Sequence, residues 1–477
     1  MKVLLINPMM TEPVRFFPLG LGYIARALLQ RGDDVTVLDI NANNYNGTKV
    51  IDKLLEIEYD IVGITGMITQ YEYVKWLSNA IKMANPVPVI VGGGLASAAT
   101  EFLLNTTSVD VAVIGEGENT ICELMQVFDL QRTSDTVNGI CYKKSNGELR
   151  RTAAREHIMD IDTISYPARE LFPMNKYLRS RTLSVRTVFD SRARTTNLIT
   201  SRGCPYSCVY CYHGIHGHKF RARSADNIMG EIVELHDKYG VTAFMFNDDT
   251  FVIDRKRVME LCNMLIASGL GILWSCNGRT NVTDREMLEK MAEAGCRLIS
   301  YGIESGNQRI LDELNRKTTV EKNEEIVQMT WDVGIIPRTY LMVGMFGETK
   351  ESIRDTVEFC MRQKVGQGLA YVTLIPGTPL SERAIKEGKI NNTDQLVGSS
   401  SLNKWDELGI NLTDMTDGEL IRLRENAESI IVNHAVLNRA WRLLKIAGLK
   451  ASILNSLVLL TTNIPRKVMR GLNPFRR

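Results

Sequence analysis

The sequence predicts two α/β domains in series, followed by a helical segment. Three observations carry this. Short β-rich runs alternate with helical patterns up to about residue 130, the alternation lapses, and it resumes from about 196 to 385. Alternation of this kind is written by βα units whose strands form a parallel sheet covered on both faces. A composition of 44% hydrophobic and 23% charged residues over 477 residues suits globular domains with sizeable cores. The formal net charge of +2 supplies no global attraction to nucleic acid, and no nucleic-acid partner is expected.

In the first segment, Lys2 to Asn7, Asp34 to Ile40, Asp60 to Thr65, Val87 to Val91 and Val109 to Ile114 read as strands. Helical spacing follows at Leu19 to Arg31, Tyr73 to Ala84 and Thr120 to Phe128. Five such units predict a doubly wound, flavodoxin-like domain over 1–130, with ligands at the carboxyl ends of its strands. Glycines cluster at those ends: Gly63 and Gly66 around Thr65, Gly92-Gly93-Gly94, and Gly115-Glu116-Gly117-Glu118. Glycine serves tight turns and also lets a backbone approach a ligand closely. Three clusters on one edge favour a ligand over turns alone.

Residues 131–195 read as a linker. They hold a polar hairpin over Ile140 to Arg151, turning at Asn146-Gly147, and then an irregular stretch through Pro167 and Pro173. From 196 to 385, strands are predicted at Asn197 to Thr200, Ala243 to Asn247, Ile272 to Cys276, Leu298 to Gly302, Pro337 to Val343 and Gly368 to Leu374. Helical patterns such as Ser224 to Tyr239, Asp284 to Ala294 and Lys350 to Lys364 lie between them, which predicts a partial (β/α)6 barrel.

Residues 386–477 read as helical and then basic. From His434 to Arg477 there are nine Lys or Arg and no Asp or Glu, interleaved with apolar residues. Such a segment can lie on an anionic membrane surface or dock on the barrel with a solvated basic face. The start, Met1 to Pro8, reads as a first strand and not as a signal peptide. No apolar run is long enough to span a bilayer. Nine cysteines, six of them scattered singly, point to a reducing cytoplasm and not to a disulfide framework.

The chemistry concentrates at Cys204-Pro-Tyr-Ser-Cys208-Val-Tyr-Cys211, just after the first barrel strand. Three cysteines at C-x3-C-x2-C spacing can converge on one iron–sulfur cluster, leaving one iron of a cubane open. A zinc site is the alternative, with His213, His216 or His218 as the fourth ligand. The pattern C-x3-C-x-aromatic-C, with Tyr210 in the aromatic slot, resembles the signature of the radical S-adenosylmethionine (SAM) superfamily. That resemblance implies a [4Fe-4S] cluster held by Cys204, Cys208 and Cys211, whose open iron binds SAM and reductively cleaves it to a 5′-deoxyadenosyl radical.

Further segments extend the likeness. Asp248-Asp249-Thr250-Phe251 is similar to the family's Asp-Asp-x-Phe segment, and Gly302-Ile303-Glu304-Ser305-Gly306 to its SAM-contacting strand. Arg279 can pair with the methionyl carboxylate, since guanidinium suits bidentate geometry. Asp248, Asp249 and Glu304 can also simply cap the helices that follow. Gly344-Met-Phe-Gly-Glu348-Thr349 matches a family turn with Phe346 in place of proline, and Ile375-Pro-Gly-Thr-Pro379 matches the turn after the last strand.

Pro18-Leu-Gly-Leu-Gly-Tyr-Ile-Ala25 resembles the helix start of the cobalamin-binding domain fused to such barrels, as do Gly92-Gly93 and Gly115-Glu-Gly-Glu118. The group resembled is the cobalamin-binding-domain-containing radical SAM enzymes, of the methyltransferase and anaerobic magnesium-protoporphyrin ester cyclase type. It implies a SAM site including Tyr210, Asp248, Asp249, Arg279, Glu304 and Ser305. It implies a cobalamin site including Thr65, Gly66, Gly92, Gly93, Gly115 and Gly117. It implies methylation of an unactivated carbon of a small-molecule or lipid substrate, with electrons from a flavodoxin or ferredoxin. An oxidative cyclase or rearrangement enzyme, and a non-catalytic iron–sulfur carrier or sensor, are the alternatives. Gly94-Leu95 stands where family members often have Pro-His. No histidine precedes His157, so the first domain offers cobalt no axial imidazole.

Overall fold

The computed structural model describes residues 1–10, 16–130, 134–178, 192–366, 368–400 and 406–447, without side chains at 399–400 and 435–447. The chain forms two compact units: Met1–Ser180 with Thr196–Asn227 and Thr373–Lys404, and Arg181–Thr195 with Ile228–Val372 and Trp405–Arg477.

In the first unit, β1 (Lys2–Asn7), β2 (Asp34–Asp39), β3 (Ile61–Thr65), β4 (Val89–Gly92) and β5 (Val111–Val113) are parallel, in the order β2-β1-β3-β4-β5. This is the flavodoxin-like order, with its switch point at β1/β3. The strands are apolar on both faces because helices cover both: Leu4, Ile6, Val62 and Val91 are buried on one face and Leu5 and Ile90 on the other. The helix Leu19–Arg31 buries Leu21, Ala25 and Leu28 and stops at Gly32, whose φ of 94° only glycine adopts easily. Leu28 is wholly buried, worth roughly 1.5–3 kcal/mol relative to exposure.

The hairpin assigned to the linker belongs to this sheet. β6 (Ile140–Lys143) pairs antiparallel with β5, and β7 (Leu149–Arg151) with β6. The pairing covers the backbone groups that β5 would otherwise present as an open edge. The predicted turn is present, with Gly147 at φ 84°.

The first unit also contains β9 (Ser201–Arg202) and β10 (Arg221–Ala222), an antiparallel pair that closes the loop carrying the three cysteines. The strand predicted ahead of that loop is β8 (Thr195–Leu198), which begins at the boundary of the two units.

In the second unit, β11 (Ala243–Phe246), β12 (Leu273–Gly278), β13 (Cys296–Glu304), β14 (Ile336–Val343) and β15 (Ala370–Tyr371) form an open parallel sheet in sequence order, part of a barrel. The intervening helices are started by side-chain caps. Asp254 accepts from the Arg257 amide at 3.1 Å and Asp284 from Met287 at 2.8 Å, and Thr349 with Ser352 forms a capping box. β15 is shorter than predicted, although the Val372 amide still bonds the Val343 carbonyl at 2.9 Å.

The last described helix, Asp417–Ala447, packs against Lys350–Gln363. No described helix is long and apolar enough to cross a membrane. Residues 448–477, most of the basic segment, lie outside the described residues.

Candidate functional site

Cys204, Cys208 and Cys211 lie between β9 and β10 and form no disulfide; Cys208 is buried and the other two are half-buried. The loop is folded back on itself. The Cys204 amide bonds the Gly217 carbonyl at 3.3 Å, and Cys211 bonds Cys208 at 3.1 Å. Gly203 (φ 81°) and Gly217 (φ 68°) make this closure possible, since a Cβ at Gly217 would come 2.7 Å from the His157 ring. Leu380, in the segment following Ile375–Pro379, bonds the Val209 carbonyl at 2.9 Å.

Three un-bridged thiols in one loop match the thiolate chemistry of an iron–sulfur cluster. Among the described residues, no three His, Cys, Asp or Glu side chains gather at the spacing of a single metal ion. Thiolates around a cubane stand farther apart than those around one ion. His213 and His218 stack on each other at 4.0 Å.

Other cysteines that are scattered in sequence meet in space. Burial, and then the neighbouring thiol of Cys296, push Cys276 well above the ordinary thiol range, and burial pushes Cys262 up to about 12. These thiols stay protonated and therefore make poor metal ligands.

At the carboxyl ends of β1, β3, β4 and β5 lies a mainly apolar cavity of about 260 Å³. Thr65, Gly92, Gly93, Gly115 and Gly117, named from the sequence, all line it. Gly66 does not; its amide and carbonyl bond Gly92 and Leu95 and brace the wall from behind. A Cβ at Gly92 would meet nothing closer than Val113 at 4.0 Å, so that glycine leaves ligand space open. Gly93 (φ 86°) and Gly115 (φ 79°) hold left-handed turns.

Sequence reasoning quoted Tyr23 and Glu116 within its motifs without naming them as site residues, and missed Leu5, Ile90, Arg202 and His216 as lining. The inward strand positions were legible as sheet interior, but not as cavity wall. His216, from the cysteine loop, lines the cavity with its Nδ1 turned to Glu116 at 3.2 Å.

Glu116 joins the two features. Its carboxylate, 5% exposed, accepts from Arg221 at 2.8 Å and from the Ile158 amide at 2.9 Å. Arg202 and His216 Nδ1 each stand 3.2 Å away. Arg202 also pairs with Glu118. Burial alone would raise the Glu116 pKa; His216, Arg202, the Ile158 amide and Arg221 outweigh it and hold it at about 2. Because the folded value lies below the unfolded one, this ion-pair stabilisation is present above about pH 4.3 and is lost as pH falls toward 2.

Of the residues expected to contact SAM, all but Tyr210 are on the second unit. Asp248 is fully buried, 3.8 Å from the Arg257 guanidinium, and its carbonyl accepts from Asn277 at 3.0 Å, while Asp249 is exposed. The Arg279 guanidinium is buried and donates to Asn281 and to the Arg316 carbonyl. Glu304 takes a φ of 66°, rare for a residue with a side chain, at an irregularity where β13 shifts register on β14. A Cβ at Gly302 would press on the Glu304 carboxylate and lie 3.1 Å from the Arg316 guanidinium, so a side chain there would displace both. Ser305 is buried, its hydroxyl 3.2 Å from Thr356. Tyr210, in the first unit, is half-buried.

Glu348, in the Gly344–Thr349 turn, is buried and bonded to the Gly344 and Met345 amides. Burial pushes its pKa up to about 7, against the downward pull of those amides and Arg309. The folded state then holds a proton that the unfolded state releases near pH 4.3. Stability is therefore expected to fall between about pH 4.3 and 7, by on the order of 3 kcal/mol. Thermal melts from pH 5 to 8 should show Glu348→Gln flattening that fall; parallel curves would refute the assignment.

Residues 198–360 match the profile of the Radical SAM superfamily, and residues 12–125 that of the B12 binding domain. An uncharacterized methyltransferase of Pyrococcus horikoshii is 29% identical over 395 residues, covering 81% of this chain and 83% of the relative. The anaerobic magnesium-protoporphyrin IX monomethyl ester cyclase of Rubrivivax gelatinosus is 29% identical over 347 residues, covering 71% of this chain and 61% of the relative. The cytidylyl-2-hydroxyethylphosphonate methyltransferase of Streptomyces wedmorensis is 26% identical, covering 88% of each. Among solved structures, the radical SAM methyltransferase TsrM of Kitasatospora setae, with cobalamin and a [4Fe-4S] cluster bound, aligns with a TM-score of 0.73 at 17% identity, covering 98% of this chain and 99% of that one.

Proposed function

The chain belongs to the radical SAM enzymes that carry a B12-binding domain, and from that premise we propose that it methylates an unactivated carbon of a small-molecule or lipid substrate. The observation that carries the reading is the inclusion of the cysteine loop and the glycine-lined cavity in one compact unit, joined through Glu116. When bound, the cluster supplies the electron that breaks a carbon–sulfur bond of SAM, and cobalamin supplies the methyl carrier.

The Cys204, Cys208 and Cys211 thiolates would hold the cluster. Thr65, Gly92, Gly93, Gly115 and Gly117 would hold cobalamin, with Gly66 behind them. Tyr210, Asp249 and Glu304 are assigned to SAM, and Arg279 to its carboxylate. Asp248 and Ser305 act on SAM through the segments they brace. These assignments give 1–130, with the hairpin 140–151 on its sheet, to cobalamin, the rest of 131–195 to the connection, 196–385 to radical chemistry and 386–477 to substrate contact. A flavodoxin or ferredoxin of the cytoplasm serves as electron donor. Peripheral membrane contact through 434–477 is tested by liposome flotation with and without that segment; equal behaviour sinks it.

The deciding experiment is anaerobic reconstitution with iron, sulfide and hydroxocobalamin, followed by product analysis. Near four irons and one cobalamin per chain, with S-adenosylhomocysteine formed alongside 5′-deoxyadenosine, is the expected result. 5′-Deoxyadenosine without S-adenosylhomocysteine would replace methyl transfer by cyclisation or rearrangement, the reading favoured by the cyclase relative. A bound cluster that leaves SAM intact would reduce the protein to an electron carrier or sensor.

A further inference from the structure

We propose that Glu116 is a positioning residue that couples the two cofactor sites, so that an assembled cluster in the cysteine loop strengthens cobalamin binding in the cavity, and the reverse. The inference rests on the two-cofactor reading above and adds a mechanism by which each site senses the other.

Glu116 stands between Gly115 and Gly117, all three on the cavity wall. Its partners come from both stems of the cysteine loop. Arg202 lies two residues before Cys204, while His216 and Arg221 follow Cys211. Arg202 and Arg221 are also directly paired across β9 and β10, so one carboxylate grips both strands at the same level. Arg221 extends the grip to the Ile158 carbonyl at 2.7 Å and the His216 carbonyl at 2.9 Å.

Arg202 and His216 have a second place in the geometry: both line the cavity. A corrin seated there touches the side chains that hold the loop. Any arrangement of the loop that the cluster selects is felt at the cavity wall, and thermodynamic linkage makes the effect equal in both directions. The alternative is a purely structural ion cluster. Removing its carboxylate would take the carboxylate partner from the buried Arg221, leave Arg202 with Glu118 alone, and destabilise the unit. It would weaken cobalamin binding alike with or without a cluster.

The test is therefore a ratio. The affinity of the full-length chain for hydroxocobalamin is measured anaerobically, with the cluster reconstituted and with iron and sulfide omitted. For the wild type we expect tighter binding to the cluster-loaded form by about 5-fold or more, the lower end of ordinary coupling. Glu116→Gln is expected to bring the ratio to about 1. His216→Gln leaves both arginine pairs in place, and is expected to cut the ratio at least by about half should Glu116→Gln fail to fold. A ratio near 1 in the wild type, or a ratio unchanged in the variants, overturns the coupling while leaving a two-cofactor enzyme standing. A wild type that takes up four irons and no cobalamin overturns the two-cofactor reading, and the coupling with it.

Discussion

Cys208→Ser is expected to lose most of its reconstituted iron and to cleave SAM on the order of 10³-fold more slowly than the wild type, or worse. Cys208 is 3% exposed and central in the motif. A serine hydroxyl is a poor ligand for iron in a sulfide cluster, and the buried position gives water little access to replace it. Cys204→Ser and Cys211→Ser should behave alike, because a cubane held by two thiolates is not retained. Cys360→Ser is the control. That thiol is buried in the helix Lys350–Gln363, and burial pushes its pKa up to about 12, so iron content should be unchanged. Iron assay and the yield of 5′-deoxyadenosine decide the matter; a serine variant with full iron and normal cleavage would place the cluster elsewhere.

Gly92→Phe should separate the two cofactors from the other side. The backbone at Gly92 is not in the left-handed region, so a side chain is tolerated locally. Its Cβ would point into space bounded only by Val113 at 4.0 Å, and a phenyl ring there takes up much of a 260 Å³ cavity. Excluding a ligand by such overpacking costs about 1–3 kcal/mol or more, which is about 5- to 150-fold in affinity. Cobalamin retained after desalting should fall accordingly, while iron content stays at the wild-type level. Unchanged cobalamin with a correctly folded variant would mean that the corrin does not use this cavity.

Much of this site was legible before folding was considered. The five strands of the first sheet were read within two residues of their observed ends, because parallel strands buried on both faces are written as unbroken apolar runs. Of six cobalamin positions named, five line the cavity, since strand-end glycines at Gly93 and Gly115 answer a backbone requirement that a sequence displays directly. The hairpin at Ile140–Arg151 was recognised, but its attachment to β5 was not, because pairing partners leave no local mark.

By itself the sequence determined the α/β class, the three cysteines and the glycine edge. Each of these depends on spacing within a short stretch, where chain geometry leaves few alternatives. Tertiary structure alone decided that the cysteine loop joins the first unit, that His216 reaches the cavity, and that Glu116 grips residues about a hundred positions away. A glutamate destined for burial among arginines looks, in sequence, like one destined for water. What distinguishes them is the set of charges that folding brings within 3 Å or so, and only the packed chain supplies it.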